Sequence, residues 1–565
     1  MTDGPVRSAD WHGFHLFLHI GTEETDNFLA DDLAPLLDGL VAAGSARAWF
    51  FIRYGEDGPH LRIRLRGLSA DAAADLPSAL ARLAGARPGT EGPWPSRHAE
   101  VRAVPYVPET ERYGGAAALP IAEEVFVASS RAALLALRQK PSGASRVTLA
   151  VDVAIATATA LGLDRLGAAQ WLRRHASGWR WTTEVPLLPG ELIHAKVNSV
   201  FARQHAVLVE RVRTLQEGLE QRSAARWLVD WVDRVRAADR EVRATVNGDE
   251  ARALWVWGSQ LHMMLNRLGV TPDEERAVCR LAARTLLDAG EPPSFFPDGH
   301  RAPDRQYLER SKFQIGRNVD SAVRALPAPS PGGGSGPART EIGLPADPLP
   351  EISLRAALTG RSSARGPLTG PLTAPQLGAL LWEAHAESHR TEQQSADGTR
   401  RTLSHRPYPS AGALYTVRLR LIALDVQGLP AGTYQCVPQR RSLSAVGPAP
   451  SVEEVKPLSS YFSRAADDPD WIGVDQAPVL LGLYLDLALL RSRYGLRALR
   501  LGLLEAGHLA QALLLTATAL GLAGTTLGGF HDDLAHELFG LDDLDCPLQY
   551  LLPLGRRSPA PPNGR

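Results

Sequence analysis

Apolar residues recur along this chain in two rhythms, one of period two and one of period 3.6. Residues 48–53 (AWFFIR) and 60–66 (HLRIRLR) flank a turn rich in Gly, Asp and Pro and predict a hairpin, with a further strand at 14–20. Leu29, Leu33, Leu36, Leu37 and Leu40 share one side of a helix over 26–43. Helical periodicity returns at 121–138, 146–161, 163–174, 187–212, 224–246, 250–268 and 274–289. Beyond residue 350 the pattern predicts helices at 353–359 and 375–386, strands at 416–426 and 477–487, and a strand pair within 428–436. The stretch 492–529 then reads as a basic loop, a long helix apolar nearly all round, and a Gly pair. Between the two halves, 326–350 (LPAPSPGGGSGPARTEIGLPADPLP) has Gly, Pro and Ser but no periodicity. It reads as a linker, the other reading being a disordered surface loop of one continuous domain. The expected domains are 11–325 and 351–557, joined by 326–350 and followed by a disordered tail at 558–565.

With 565 residues the chain is too long for one core. A formal net charge of -1 argues against electrostatic binding of nucleic acid. Cys279, Cys436 and Cys546 are too few and too far apart for a disulfide framework or a CxxC metal site, so no metal is expected and a reducing cytoplasm fits best. The N-terminus lacks the pattern of a secretory signal. The most apolar segments, 477–490 and 509–524, are shorter than the ~20 residues a bilayer needs. No membrane partner is expected.

In HLRIRLR, Leu61, Ile63 and Leu65 face one way while His60, Arg62, Arg64 and Arg66 face the other. Four basic groups in register repel unless anions compensate. The spacing alone allows a carboxylate or phosphate site, or a salt-bridged solvent face. In YVPETERYGG (106–115), Glu109 and Arg112 are spaced as an ion pair in a turn. In SQLHMMLNRL (259–268), His262 and Asn266 share a helical face, where a His can be structural or catalytic.

Taken in order, WFFIRYGEDGPHLRIRLRG, YVPETERYGG and SQLHMMLNRL resemble the glutamate-elimination domain of lantibiotic dehydratases and its stand-alone relatives in thiopeptide biosynthesis. The resemblance implies that fold for the first body. It also implies elimination of glutamate from a glutamylated Ser or Thr, leaving dehydroalanine or dehydrobutyrine. It assigns Arg62, Arg64 and Arg112 to gripping the glutamyl moiety or the enolate-like oxygen, with Glu109 in the same site and His262 in proton transfer. Cations stabilise charge on a peptide oxygen, and an imidazole titrates near neutrality. The same fold serves enzymes that join two dehydroalanines into a pyridine, so the reaction is not settled by fold.

In the second body, GRSSARGPLT offers Arg361, Ser362 and Arg365 either to a phosphate or as a polar helix exit. Ser410 and Gly412, in HRPYPSAGALY, would let a planar ligand approach, although a plain turn also explains them. PSAGALY and the EAGHLAQ helix resemble the FMN-dependent azoline dehydrogenases of the nitroreductase superfamily. The resemblance implies a nitroreductase-like α+β fold and a homodimer through this domain with FMN at the subunit interface. Arg361, Ser362, Arg365 and Arg556 would meet the phosphate or ribityl chain, and Ser410, Gly412, Gly528 and Gly529 the ring. The family's catalytic Lys-Tyr pair aligns with Arg493 and Tyr494. Arginine is a poor general base, which leaves Tyr494 as the expected proton acceptor, or the oxidase altered or inactive.

The expectation is therefore an α+β, bifunctional enzyme of thiopeptide biosynthesis, a lyase fused to a flavoprotein oxidoreductase. Its partners would be a glutamylated, azoline-bearing precursor peptide, a glutamyl-tRNA-dependent glutamylation enzyme, and a cyclodehydratase with a leader-binding protein. The alternatives are a flavin oxidase whose first body only binds peptide or partner proteins, and a pyridine-forming cycloaddition enzyme.

Overall fold

The structure, a computed structural model, describes residues 10–181, 185–288, 302–313, 340–394 and 400–557. The chain divides into two compact units, residues 1–188 with 195–291 and residues 189–194 with 292–565. Residues 326–339 of the expected linker and the expected tail at 558–565 lie outside the described residues. Residues 303–310, within the span 11–325 expected for the first body, form the helix Pro303–Arg310 in the second unit. There the Tyr307 hydroxyl donates to Leu496 O and accepts from Arg500 N.

In the first unit, β1 (Trp11–Phe17), β2 (Ala48–Tyr54), β3 (His60–Arg66) and β4 (Val101–Pro105) form an antiparallel sheet in the order β2-β3-β1-β4. The strand expected at 14–20 stops at Phe17, because Leu18 N turns to Pro59 O and His19 N to the His98 ring. The expected first helix runs from Thr22 to Ala42 with a π-helical turn at Phe28–Leu33. The remaining periodic segments are helices: Leu119–Leu137, Gly143–Ala160, Arg165–Gly178, Gly190–Glu220, Arg226–Thr245, Glu250–Arg267 and Pro272–Leu287.

One of these helices is fastened to the sheet by a polar clamp. Strand β2 is an edge, so its backbone groups need partners from outside the ladder. Asn266 supplies them: its Oδ1 accepts from Arg53 N and its Nδ2 donates to Arg53 O, both at 2.9 Å. The Arg53 and Arg146 guanidiniums converge on buried Asp26 at 2.5 Å each, and Arg53 also caps the Arg267 carbonyl. The helix Glu250–Arg267 is thereby fixed at its C-terminal end against β2.

The second unit is built on a mixed nine-stranded sheet. Its strands are β5 (Glu341–Gly343), β6 (Gly366–Thr369), β9 (Val417–Ala423), β10 (Gly432–Val437), β11 (Ser442–Gly447), β12 (Ile472–Gly473), β13 (Val479–Leu485), β14 (Ala523–Gly524) and β15 (Leu548–Arg557). Their order is β12-β6-β15-β13-β9-β10-β11-β5, with β14 on β15, and a separate hairpin pairs β7 (His389–Gln394) with β8 (Arg400–His405). Strand β5 lies inside the expected linker and adds to the β11 edge. The strand pair expected at 428–436 is a turn followed by β10 alone, which pairs with β9 and β11.

Alternate residues of β13 feed two cores. Leu481, Leu483 and Leu485 join the helices Ala374–His385 and Ala498–Ala519, while Leu480 and Tyr484 join Leu534, Leu538 and Phe539. Among the described residues one helical stretch, Leu487–Ala519, is long and apolar enough to cross a membrane. Leu509, Leu513 and Ala517 of that stretch are buried in the first of these cores. The expected basic loop at its start is instead the last turn of the helix Leu487–Tyr494, broken at Gly495, where φ is 53°.

Candidate functional site

The cations of β3 share a face but not a fate. Arg62 pairs with Glu56 at 3.1 Å and lies 3.3 Å over the Tyr54 ring. Arg66 pairs with Glu124 at 2.6 Å. Arg64, between them, is 6% exposed, and no carboxylate pairs with it among the described residues. It donates to Ile63 O at 3.1 Å and to His15 Nε2 at 3.4 Å. Burial first, and Arg62 second, lower its pKa to about 10.

The register explains how Arg64 fits. It stands opposite Gly13 on β1 and Phe50 on β2. A Cβ on residue 13 would lie 2.9 Å from Arg64 Nη1 and 2.5 Å from Val104 O, so glycine alone lets the guanidinium cross the strand. His15, opposite Arg62, stacks on His60 with centroids 4.8 Å apart. Burial, then Arg64, push the His15 pKa down to about 3, so its ring is neutral and accepts from Arg64 through Nε2. The outer arginines are salt-bridged, as the solvent-face reading expects, whereas the middle one is a desolvated cation with no carboxylate paired to it among the described residues.

A second such cation adjoins Phe50. The Arg267 guanidinium is fully buried, 5.9 Å from the Phe50 ring and 5.5 Å from Phe126. Its Nε donates to Ser130 Oγ while, among the described residues, Nη1 and Nη2 have no hydrogen-bond partner, and burial lowers its pKa to about 9.

His262 sits one turn before the Asn266 clamp. Its Nδ1 is 2.9 Å from Glu275 Oε2, and the other oxygen of Glu275 meets His175 Nε2 at 2.6 Å and Trp179 Nε1 at 3.0 Å. Glu275 is completely buried. Burial alone would raise its pKa, but His262 and His175 more than offset this, and the carboxyl lies below its ordinary range. A carboxylate only accepts, so Nδ1 of His262 carries the hydrogen of this contact, and among the described residues no hydrogen-bond partner meets Nε2.

Glu109 precedes, and Arg112 lies within, a short 3-10 turn (Thr110–Tyr113) closed by Gly114. They pair at 2.9 Å, and Arg112 Nε also donates to Ser259 Oγ at 3.4 Å, three residues before His262. Next in the chain, Tyr113 packs in one apolar cluster with Phe50, Phe126 and Met263. The neighbours of Arg64, Arg112 and His262 thus meet in a single cluster. Glu275, His175, Trp179, His15 and Arg267 are absent from the expected site. Glu275 had a signal: it shares a helical stripe with Cys279, Ala282 and Leu286, where periodicity demands an apolar side chain.

In the second unit, Arg557 Nη2 donates to Ser362 Oγ at 2.6 Å and to Ser362 O at 3.2 Å. Arg361 ends the helix Leu354–Gly360 beside it, and among the described residues no carboxylate pairs with Arg361 or Arg557. The expected Arg556, the residue before it on β15, faces the other way and donates from Nε to Pro371 O at 3.2 Å. Alternation along the strand makes Arg557 the member of this group. Arg365 leans to Asp470 at 3.5 Å, away from Ser362.

The PSAGALY loop is organised by buried Glu505 of the helix Ala498–Ala519. Its carboxylate accepts from Ser410 Oγ at 2.7 Å and Val417 N at 2.8 Å, while Ser410 Oγ accepts from Tyr415 N. Gly412 has φ 60°, and a Cβ there would lie 2.5 Å from the Tyr494 hydroxyl. Tyr494 therefore reaches the loop only because residue 412 is glycine. Arg493 is exposed on the last turn of its helix, and Gly528 and Gly529 follow Leu527, which bridges to Leu551 of β15. Apart from its chain neighbours, no atom of the described residues stands within 4 Å of a Cβ placed at Gly528. The Ser362–Arg557 group, cationic and free of carboxylates, fits a phosphate, and the open Gly528 fits a flat ring.

Residues 358–556 match the model of the nitroreductase family, and residues 11–286 that of the lantibiotic biosynthesis dehydratase C-terminal region. A Methanocaldococcus jannaschii protein described as a nitroreductase is 30% identical over 217 residues, which cover 38% of this chain and 96% of that protein. The chain belongs to the nitroreductase family. It carries that fold in its second unit and a lantibiotic dehydratase-like domain in its first. The Escherichia coli microcin B17-processing protein McbC is 29% identical over 141 residues, 24% of this nitroreductase-family chain and 49% of McbC. The tRNA-dependent lantibiotic dehydratase MibB from Microbispora sp. 107891 is 25% identical, with a TM-score of 0.38, over 51% of this chain and 29% of that one. The chain thus spans about half the length of McbC and under a third of MibB.

Proposed function

We propose that this protein is a bifunctional peptide-modifying enzyme of thiopeptide biosynthesis, acting in the cytoplasm. Its first unit would eliminate glutamate from glutamylated Ser or Thr, and its second would oxidise thiazolines or oxazolines to thiazoles or oxazoles. The observation that carries the first activity is a pair: Arg64, desolvated, and His262, held by Glu275, which among the described residues have no carboxylate on the one and no partner for Nε2 on the other.

The chemistry follows from these groups. His262 Nε2 removes the Cα proton of the glutamylated residue. The electron pair passes onto the peptide carbonyl oxygen, where Arg64 and Arg112 stabilise it, with Arg62 on the glutamyl group. It then returns to form the Cα–Cβ double bond as the Cβ–O bond breaks and glutamate leaves as its carboxylate. The proton stays on His262, where Glu275 stabilises the imidazolium until it passes to solvent.

In the second unit Arg361, Ser362 and Arg557 would hold the phosphate of FMN, with Arg365 and Arg556 farther out, and Ser410, Gly412, Gly528 and Gly529 would border its ring. FMN, when bound, supplies a hydride acceptor for the ring Cβ. Tyr494, lodged against Gly412, would take the Cα proton onto its phenolate oxygen, its own hydroxyl proton having passed to solvent, and Arg493 contributes charge. Leu354, Leu358 and Leu504 are 70%, 52% and 61% exposed on the helices Leu354–Gly360 and Ala498–Ala519, which supports burial of this face in a homodimer. The substrate would come from a glutamylating enzyme that uses glutamyl-tRNA and from a cyclodehydratase with its leader-binding protein. McbC and MibB, by their descriptions, process a microcin and act as a tRNA-dependent lantibiotic dehydratase.

Mass spectrometry of a glutamylated, azoline-bearing peptide incubated with the protein and FMN tests both activities. Loss of each glutamate and loss of two hydrogens per ring are separate mass changes. A peptide supplied with dehydroalanines that is converted to a pyridine, with no glutamyl substrate consumed, would overturn the first assignment.

A further inference from the structure

The helix Glu250–Arg267 presents Arg252, Trp255, Ser259, His262 and Asn266 at spacings of three and four, and so along one face. Ser259 meets Arg112, His262 meets Glu275, and Asn266 clamps Arg53. Trp255 meets no such interior partner and is 48% exposed. Its ring is not loose, because the Arg252 guanidinium lies 4.7 Å from it and itself donates to Glu111 O at 2.7 Å. Glu111 belongs to the same turn as Glu109 and Arg112. An exposed indole is thus pinned by an arginine that is anchored in the candidate active-site turn.

Its neighbours limit what it can bind. The ring is flanked by charge, the Arg252 guanidinium and the 90% exposed Glu111 side chain. That suits a single side chain rather than a protein interface. Trp255 lies seven residues, or about 10 Å of helix rise, from His262. An extended peptide advances about 3.3 Å per residue, so the ring falls about three residues from the residue held at His262.

We propose that Trp255 is a specificity subsite of the peptide substrate, taking a flat apolar side chain or heterocycle three residues from the position that loses glutamate. The assignment rests on the elimination reading of this unit. Offset or edge-on packing against the indole gives it selectivity for planar groups.

The test is a scan of glutamylated Ser peptides on a Gly-rich background, with one Phe moved through four positions on either side. Turnover and binding, the latter by anisotropy of a labelled peptide, are measured with the full chain. KM and Kd should be lowest when Phe stands three residues away on one side, about five- to tenfold below the peptide without Phe. Trp255→Ala should erase that minimum with kcat unchanged, and Trp255→Phe should restore most of it. A flat scan with wild type, or a minimum that survives Trp255→Ala, overturns the subsite. Binding that follows Trp255 without any loss of glutamate would keep the subsite and remove the elimination reading.

Discussion

His262 Nδ1 and Glu275 Oε2 stand 2.9 Å apart, and the other oxygen of that fully buried carboxylate is held by His175 and Trp179. Three donors on one carboxylate fix the His262 ring with its Nδ1 hydrogen on Glu275. Glu275→Gln keeps the shape but replaces one acceptor oxygen with an NH2 donor, so at least one of these contacts is lost. The elimination rate should fall about a hundredfold or more, with the loss in kcat and a displaced pH–rate profile. A folded Glu275→Gln protein with the wild-type profile would make Glu275 purely structural.

The same carboxyl makes acid stability measurable. Its folded pKa lies below the ordinary 4.5, because the two imidazoles outweigh burial. A depressed carboxyl pKa stabilises the fold fully above about pH 4.5 and loses that contribution as pH falls through the folded value. The urea midpoint of wild type should therefore drop steeply from about pH 4.5 downward, and that of Glu275→Gln less so. Equal slopes in the two proteins would show that Glu275 carries no such linkage.

Arg64 separates function from stability by sign. A buried cation without a carboxylate costs free energy in the folded state. Arg64→Met should leave the melting temperature unchanged or raise it by a few degrees while abolishing elimination. Arg62→Met, which frees exposed Glu56, the Tyr54 ring and a long 3.4 Å contact to His60 Nε2, should cost little stability. A marked destabilisation by Arg64→Met would assign the arginine to the core.

On β15 the choice between neighbours is testable by flavin titration. Arg557 touches Ser362, whereas Arg556 turns to Pro371 O. Arg557→Ala should weaken FMN binding about tenfold or more, and Arg556→Ala much less. The reverse order would relocate the phosphate group.

Much of this was legible in the sequence, for physical reasons. Period-3.6 stripes such as that of 250–268 and the period-two run of 60–66 survive folding because burial acts directly on them. What escaped was set by tertiary contact. Nothing local distinguishes Arg64 from Arg62; Gly13 and Phe50, 51 and 14 residues distant in sequence, do so through register. Arg556 and Arg557 are equivalent until the strand's phase is known. Glu275 was visible as a charge on an apolar stripe, but its partners His175 and His262 come from two other helices. Strand β5 hid in a Pro- and Gly-rich stretch because its pairing comes from β11 alone.

The most direct measurement uses a peptide whose glutamylated Ser carries deuterium at Cα, followed by mass spectrometry with wild type, Arg64→Met and His262→Ala. The account predicts that wild type releases glutamate with loss of the deuterium, giving dehydroalanine with a primary isotope effect, and that both variants leave the ester intact. Hydrolysis to serine with the deuterium retained, or elimination that proceeds undiminished in His262→Ala, would contradict it.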